Sequence, residues 1–554
     1  MHRKNIIKAV TLSILSLLIG CSLSPSSASL RTTPVNPSME IPASSIPEVQ
    51  RGPQVTDTPQ KPAPPLTTPT YLPIVVNRPV FIPQGNEYFA APNGSEAGDG
   101  SMNNPWDLHT ALGKFKVVKP GDTIWLRGGR HGSGGGTIFN SLVKGTENKP
   151  VLIRQYPGEH AIVDGGIMAY GEWTWFWGFE ITNSSLERDT EGINRPFGLD
   201  MVNRGQKAIN LVIHNVGHPG IGFWEYVEDG GEIYGCLIWG VGLYDPKFLG
   251  NAPRGSGIYA QNEIGTRRIE EVITFRNFTT GMKAYAEEGF VNGFLLEGNV
   301  SFNNPDRNLF FSGEVNPVKN LQLINNFTYR DRKDAIDSVD IGYPKRDQQD
   351  AILQNNYFVS GTNSDGAFFS KYFRNLRFSG NVLVSPETFV NWLPAAEAGA
   401  VVWDDNTYFG GSRNPFKING RSTSLQDWKE RTSFDQNSRL NTDYPTGSWV
   451  FVRPNLYDRD RAHVVIYNWD LHDSVAVDLS SFLRPGDPYI LLDAQNYFGK
   501  PVVEGTYVGS QVLVPMNLTE VSPIIGNVTH YRNEHTAPEF GVFILLRNSP
   551  AWQR

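Results

Sequence analysis

Three carboxylates fall within seven residues in Asp334-Ala335-Ile336-Asp337-Ser338-Val339-Asp340. Such an oxygen-rich set suits Ca2+, a hard cation that takes oxygen ligands, and Asp334, Asp337 and Asp340 are its expected ligands. Asp334 and Asp337 could instead work as catalytic carboxylates, the general acid and base of glycosidic hydrolysis. A three-residue spacing does not put every carboxylate on one side of a flat strand, so the backbone has to bend near Asp334. The preceding Arg330-Asp331-Arg332-Lys333 supports a plainer alternative, in which these charges pair along a solvated loop.

Lys283 is the second candidate, as a catalytic base or as an anchor for a substrate carboxylate. Base chemistry requires neighbours that lower its pKa toward working pH, and Glu287 and Glu288 push the other way. Its surroundings follow from six segments with similar patterning. These are Gly220-Ile221-Gly222-Phe223-Trp224, Gly257-Ile258-Tyr259-Ala260-Gln261, Gly281-Met282-Lys283-Ala284-Tyr285, Asn308-Leu309-Phe310-Phe311-Ser312, Asp334-Ala335-Ile336-Asp337-Ser338 and Gly366-Ala367-Phe368-Phe369-Ser370-Lys371. Side chains alternate faces along a strand. With Ile221, Ile258, Met282, Leu309, Ile336 and Ala367 inward, Tyr259, Lys283, Phe310, Asp337 and Phe368 face outward. Trp224, Tyr285 and Ser312 lie two residues further along. A one-residue slip would reverse the faces. Trp224, Tyr259, Tyr285, Phe310 and Phe368 would offer flat surfaces to sugars, and Arg254 could grip a carboxylate bidentately. His214, His218, Trp224 and Glu225 form a weaker cluster nearby.

Such a face needs stacked strands. Asn recurs at a tight turn in Gly298-Asn299-Val300, Asn325-Asn326-Phe327, Asn355-Asn356-Tyr357, Gly380-Asn381-Val382 and Asp405-Asn406-Thr407, at spacings of 27, 30, 25 and 25 residues. A period in the twenties, with β-branched and aromatic residues around it, predicts a β-solenoid. Asn at equivalent corners can form a hydrogen-bonded ladder up the stack.

The folded part begins near Phe81. Trp106, Leu108, Ala111, Leu112 and Phe115 have helical spacing. Lys119-Pro120-Gly121-Asp122-Thr123-Ile124-Trp125-Leu126-Arg127-Gly128-Gly129 reads as a turn and a buried strand, and Trp175-Phe176-Trp177-Gly178-Phe179-Glu180-Ile181 opens the next coil. This order resembles secreted right-handed parallel β-helix proteins of the pectin-lyase-like group, over about residues 81–440. The resemblance implies three parallel sheets and a helix closing the N-terminal end of the core. It also implies a base of Lys or Arg if the chain is a lyase acting beside a uronate carboxylate. The group includes polysaccharide lyases, glycoside hydrolases and adhesins, so the fold alone does not assign an activity.

Four regions are expected. Residues 1–21 combine His2-Arg3-Lys4, an apolar run too short for a membrane span, and Leu18-Ile19-Gly20-Cys21. They resemble a bacterial lipoprotein signal, which implies lipidation at Cys21 and a place on the outer face of the envelope, anchored to the membrane. Residues 22–80, rich in Pro, Ser and Thr, form a tether. Residues 81–440 form the solenoid. Residues 446–548, with short strands such as Val464-Val465-Ile466-Tyr467 and Val542-Phe543-Ile544-Leu545, form a small antiparallel β-sandwich that would cap the open end of the solenoid. The whole is all-β.

With 49 basic and 56 acidic side chains, a net charge of −7 argues against general nucleic-acid binding. Cys236 has no spaced partner and reads as a small buried residue. A monomer with a polysaccharide partner is expected. Two function classes stay open. One is an extracellular polysaccharide lyase or glycoside hydrolase, and the other is a noncatalytic surface protein that binds glycan.

Overall fold

Repetition of one coil builds most of the molecule. The computed structural model describes residues 85–188, 194–224, 231–244, 253–331, 338–362, 366–397, 399–526 and 534–547. Three sheets of twelve strands each run along the coil axis. A coil visits them in turn. Asn292–Glu297 lies in the first sheet, Val300–Phe302 in the second and Leu309–Gly313 in the third, before Lys319–Ile324 starts the next coil. Neighbouring strands pair in parallel, as in Phe294↔Leu321 and Met282↔Leu309. The last pair of the third sheet, Phe416–Ile418 with Arg421–Thr423, is antiparallel. The expected parallel β-helix is the observed fold, followed by antiparallel sheets.

The Asn ladder stands at the turn between the first and second sheets. The Nδ2 of Asn299, Asn326, Asn356 and Asn381 each donates to the Oδ1 of the next Asn, at 2.9, 3.0, 2.9 and 3.2 Å. The residue before each ladder position is left-handed, with φ of 66° at Gly298, 55° at Asn325, 56° at Asn355, 67° at Gly380 and 58° at Asp405. Only Gly, Asn and Asp enter that region at low cost, which explains the recurring dipeptides. In earlier coils the left-handed residue is Asn210, Gly235 or Glu271. The ladder position is then taken by buried Leu211, Cys236 or Val272. Burial pushes the Cys236 thiol up to about 12, so it is an inert packing group.

Helix α1 (Leu108–Gly113) closes the N-terminal end. Asp107 caps it by accepting the Thr110 N–H at 2.8 Å, and Leu108, Ala111 and Leu112 are buried. Phe115 lies past the helix end and is exposed. At the other end, helix α2 (Leu425–Thr432) buries Trp428 against Phe416 and Trp403, with ring centroids 5.3 and 5.6 Å away.

The C-terminal region therefore does not cap the open end, contrary to expectation; α2 does. Ser448–Pro454, Arg461–Asn468, Phe540–Arg547, Pro488–Asp493 and Val503–Thr506 form a five-stranded antiparallel sheet, and Ser474–Val477 pairs with Val512–Pro515. The larger sheet lies along the outer surface of the second β-helix sheet. There Trp239, Phe275, Phe302 and Tyr329 share one apolar core with Phe451, Tyr467 and Phe540. Polarity in the middle coils of that β-helix sheet is inverted. Their inward positions are Thr274, Ser301 and Thr328, each held by a side-chain hydrogen bond. Their outward positions, such as Phe275, Phe302 and Tyr329, are aromatic or aliphatic because the C-terminal sheet covers them.

Candidate functional site

The outward row of the third sheet is where charge and aromatics meet. Strand pairing aligns Asp200, Gly222, Tyr259, Lys283, Phe310, Asp340, Phe369 and Asn391 across successive coils. Leu199, Ile221, Ile258, Met282, Leu309 and Val339 alternate with them and are buried in the solenoid core.

Lys283 stands in a box of rings. Its Nζ is 5.2 Å from the centroid of Tyr259, 4.8 Å from Tyr285 and 5.7 Å from Phe310. Aromatic faces favour a cation, and such a box suits an anchor for an anion. The Tyr285 hydroxyl donates to Glu314. His218 stacks on Tyr259 at 5.7 Å and accepts the Ser256 N–H at 3.3 Å. Burial, with the charges of Lys283 and Arg254, pushes its imidazole down to about 3. His218 is therefore neutral at working pH, and Lys283 and Arg254 supply the local positive charge.

Asp200 stands at the N-terminal end of the row, beside Gly222. It is 7% exposed, and its Oδ1 has no hydrogen-bond partner among the described residues. Burial pushes its carboxyl up to about 7, against the opposing pull of the Trp224 indole N–H. The next coil carries Gly222, whose absent Cβ would fall 2.0 Å from Asp200 Oδ1 and 2.6 Å from Trp224 Nε1. Glycine lets the carboxyl fold across the neighbouring strand toward the indole. Trp224 meets Tyr259 edge-on at 5.3 Å, which links this group to the Lys283 box.

Further along, Asp340 is fully buried between two cations. Lys371 Nζ lies 2.5 and 2.7 Å from its two oxygens, and Arg307 Nε lies 2.8 Å from Oδ2. Both oxygens are thus taken by cationic side chains, which corrects the expected Ca2+ role of Asp340. Asp334 and Asp337 lie outside the described residues. The strand of this coil is Val339–Ile341, so Asp340 occupies the outward position expected for Asp337. Among the described residues no group of three or more His, Cys, Asp or Glu is placed to hold a metal ion.

Phe368 is a second correction. It faces inward, fully buried, and stacks on Phe378 at 4.7 Å, while Phe369 takes the outward position. Tyr259, Tyr285, Phe310, Trp224 and Arg254 all lie at or beside the row. The weaker cluster separates. His218 and Trp224 belong to this face, Glu225 lies outside the described residues, and His214 is on the second sheet. There His214 Nε2 is 3.0 Å from Glu180, and the ring stacks on Trp239 at 4.5 Å. Asp200 was missed, although Gly198-Leu199-Asp200-Met201 repeats the pattern of Gly281-Met282-Lys283-Ala284 one coil before the first segment considered.

No family model matches the chain. A stretch of 108 residues, 18% of the chain, is 29% identical to "Pectate lyase L" of Thermoclostridium stercorarium, and it spans 8% of that relative's length. Among solved structures, the pectate lyase Pel9A is 14% identical, with 61% of this chain and 78% of that chain covered at a TM-score of 0.38. XylC in complex with xylose is 10% identical, covering 83% of this chain and 100% of that chain at a TM-score of 0.42.

Proposed function

We propose that the chain is a carbohydrate-active enzyme that binds an acidic polysaccharide along the outward row of the third sheet. The observation that carries this reading is the position of Lys283, charged within three aromatic rings, in one row with buried Asp200. Parallel strands lie ~4.8 Å apart, close to the repeat of a sugar chain, so a polymer along the axis meets about one row residue per sugar. Lys283, with Arg254 nearby, holds sugar carboxylates; Tyr259, Phe310 and Phe369 support ring faces. Asp200, whose proton is poised near neutrality, transfers protons.

Two-carboxylate hydrolysis does not fit this arrangement. Hydrolytic pairs stand roughly 5–9.5 Å apart. The other carboxylate of the row, Asp340, is five strands from Asp200, about 24 Å by strand spacing. It is also neutralised by Arg307 and Lys371. The similarity to a stretch of a pectate lyase supports the same class of substrate. Lipidation at Cys21 would display the protein on the outer face of a bacterial envelope, with residues 22–80 as tether.

The test is incubation of the full chain with acidic and neutral polysaccharides, following ultraviolet absorbance of unsaturated products and new reducing ends. Unsaturated products from acidic polymers alone are expected. Reducing ends without that absorbance would mean hydrolysis, and binding without cleavage would mean a noncatalytic glycan-binding protein. Cys21→Ser should shift the protein from the membrane fraction to the soluble fraction; unchanged fractionation would overturn the anchor.

A further inference from the structure

The N-terminal end of the β-helix is basic and apolar at once. The segments Lys114-Phe115-Lys116-Val117-Val118-Lys119-Pro120 and Leu142-Val143-Lys144-Gly145-Thr146-Glu147-Asn148-Lys149 hold five lysines and one acid, in a chain whose net charge is −7. Phe115 is 46% exposed, Val117 43% and Leu142 41%. Lys116, Lys119, Lys144 and Lys149 are exposed in the same loops. The two segments meet at the cap. The Leu142 N–H donates to Leu112 O at 2.9 Å, at the end of α1, and a Cβ at Gly121 would lie 3.7 Å from that of Lys149. Val118 is buried, and its N–H donates to Lys114 O at 2.9 Å, which fixes the loop with Phe115 and Val117 outward. Five of the fourteen large apolar side chains exposed among the described residues fall in residues 102–142. Single exposed apolar residues are ordinary, but a group of them among lysines marks a contact surface.

The partner follows from where the chain enters the fold. The described residues start at Gly85, whose N–H donates to Gly121 O at 3.1 Å, so the segment leading back to Cys21 joins the fold at this end. Apolar side chains ringed by lysines suit the boundary of an anionic membrane. The apolar groups enter the acyl edge while the ammonium groups reach the phosphates. We propose that this end docks on an anionic phospholipid surface, with Phe115, Val117 and Leu142 inserted and Lys116, Lys119, Lys144 and Lys149 on the headgroups. The proposal rests on the lipidation proposed at Cys21, which holds the end near the surface so that weak contacts act at high effective concentration. The three long sheets run along the coil axis. Docking by this end therefore stands the solenoid off the membrane, with the row of Lys283 running outward toward polymer in the medium.

The experiment places the mature full chain on vesicles of phosphatidylcholine with or without phosphatidylglycerol. An environment-sensitive thiol dye is attached in Phe115→Cys or, as reference, in Gln426→Cys on α2 at the opposite end. Cys236 is fully buried and stays unlabelled. With phosphatidylglycerol, the dye at position 115 should shift to shorter wavelength and be quenched by lipids brominated on the acyl chain; the dye at position 426 should do neither. Lys116→Gln combined with Lys119→Gln should lower the ratio of docked to undocked protein by roughly fivefold for each lysine removed. Vesicle-bound protein whose dye at position 115 behaves like that at position 426 would overturn the docking and leave the anchor standing. So would an equal response without phosphatidylglycerol, or an unchanged response in the lysine variant. Protein that never associates with either vesicle would overturn both. Association with the shift at position 115, in protein carrying no lipid, would overturn the anchor alone.

Discussion

Lys283 and Asp200 meet different surroundings within one row. The rings of Tyr259, Tyr285 and Phe310 surround the Lys283 ammonium with faces that attract a cation. Burial keeps a proton on Asp200 up to about pH 7. If Lys283 is a carboxylate anchor, Lys283→Ala should lower kcat/KM on acidic polymers by roughly a hundredfold, the worth of one charged hydrogen bond. Lys283→Arg should recover much of that, because a guanidinium also holds a carboxylate. Equal losses in both variants would show that a positive charge at this position does not anchor the substrate. For Asp200 the sign follows from linkage. Its folded pKa lies above the ordinary 3.8, so between about pH 4 and 7 the native state keeps a proton that the unfolded chain releases. Its stabilising contribution is full below about pH 4 and falls as pH rises through 7. Asp200→Asn should remove this decline, gaining on the parent by up to about 1.4 kcal/mol per pH unit across that window in denaturant melts. The same substitution should abolish any step near pH 7 in the rate profile. A parallel pH dependence of stability in parent and variant would show that Asp200 does not titrate there.

At the scale of elements, the β-helix was legible because one turn repeats with one chemical requirement. Each of the later coils has a left-handed residue followed by a side chain that can both donate and accept along the stack. Only Asn meets the second condition with its neighbours, so the spacing stands out. The third sheet was less legible because the loops feeding it vary in length. Six residues separate Phe302 from Leu309, whereas nine separate Tyr329 from Val339. That difference moved the expected outward carboxylate from Asp340 to Asp337. In Phe368-Phe369 both residues are aromatic, so alternation gave no signal about which one faces the core. The ladder itself is testable. Asn356 Nδ2 donates to Leu323 O at 2.8 Å and to Asn381 Oδ1, and its Oδ1 accepts the Asn326 N–H at 2.9 Å. Asn356→Ala leaves several buried groups unsatisfied and should destabilise by about 2–4 kcal/mol. Asn356→Asp should cost more, because a carboxylate oxygen would face the Leu323 carbonyl. A loss below about 1 kcal/mol in Asn356→Ala would mean that the ladder only follows the packing.

For the whole molecule, the C-terminal sheet and the β-helix share a core. The short strands of the second sheet hid this, because Val300-Ser301-Phe302 looks like ordinary alternation with the apolar residues inward. In the fold Val300 and Phe302 point outward, into the core shared with the C-terminal sheet. Beside that core Arg453 reaches across to Glu271, donating from Nε at 3.0 and 2.9 Å and also from Nη2. Glu271 carries a left-handed backbone, φ 54°, at the turn where other coils use Gly, Asn or Asp. A strained residue held by a buried ion pair is stable only while its partner is present. Arg453→Ala leaves the Glu271 carboxylate buried and unpaired, and should cost about 3–5 kcal/mol. Glu271→Gly in the same protein removes the orphan charge and relaxes the turn together, so the double variant should recover most of that loss. Melting of the parent, the two single variants and the double variant closes the cycle. If the double variant is no more stable than Arg453→Ala, the clasp contributes through packing of the arginine stem on Phe327, 5.8 Å from its guanidinium carbon, rather than through charge.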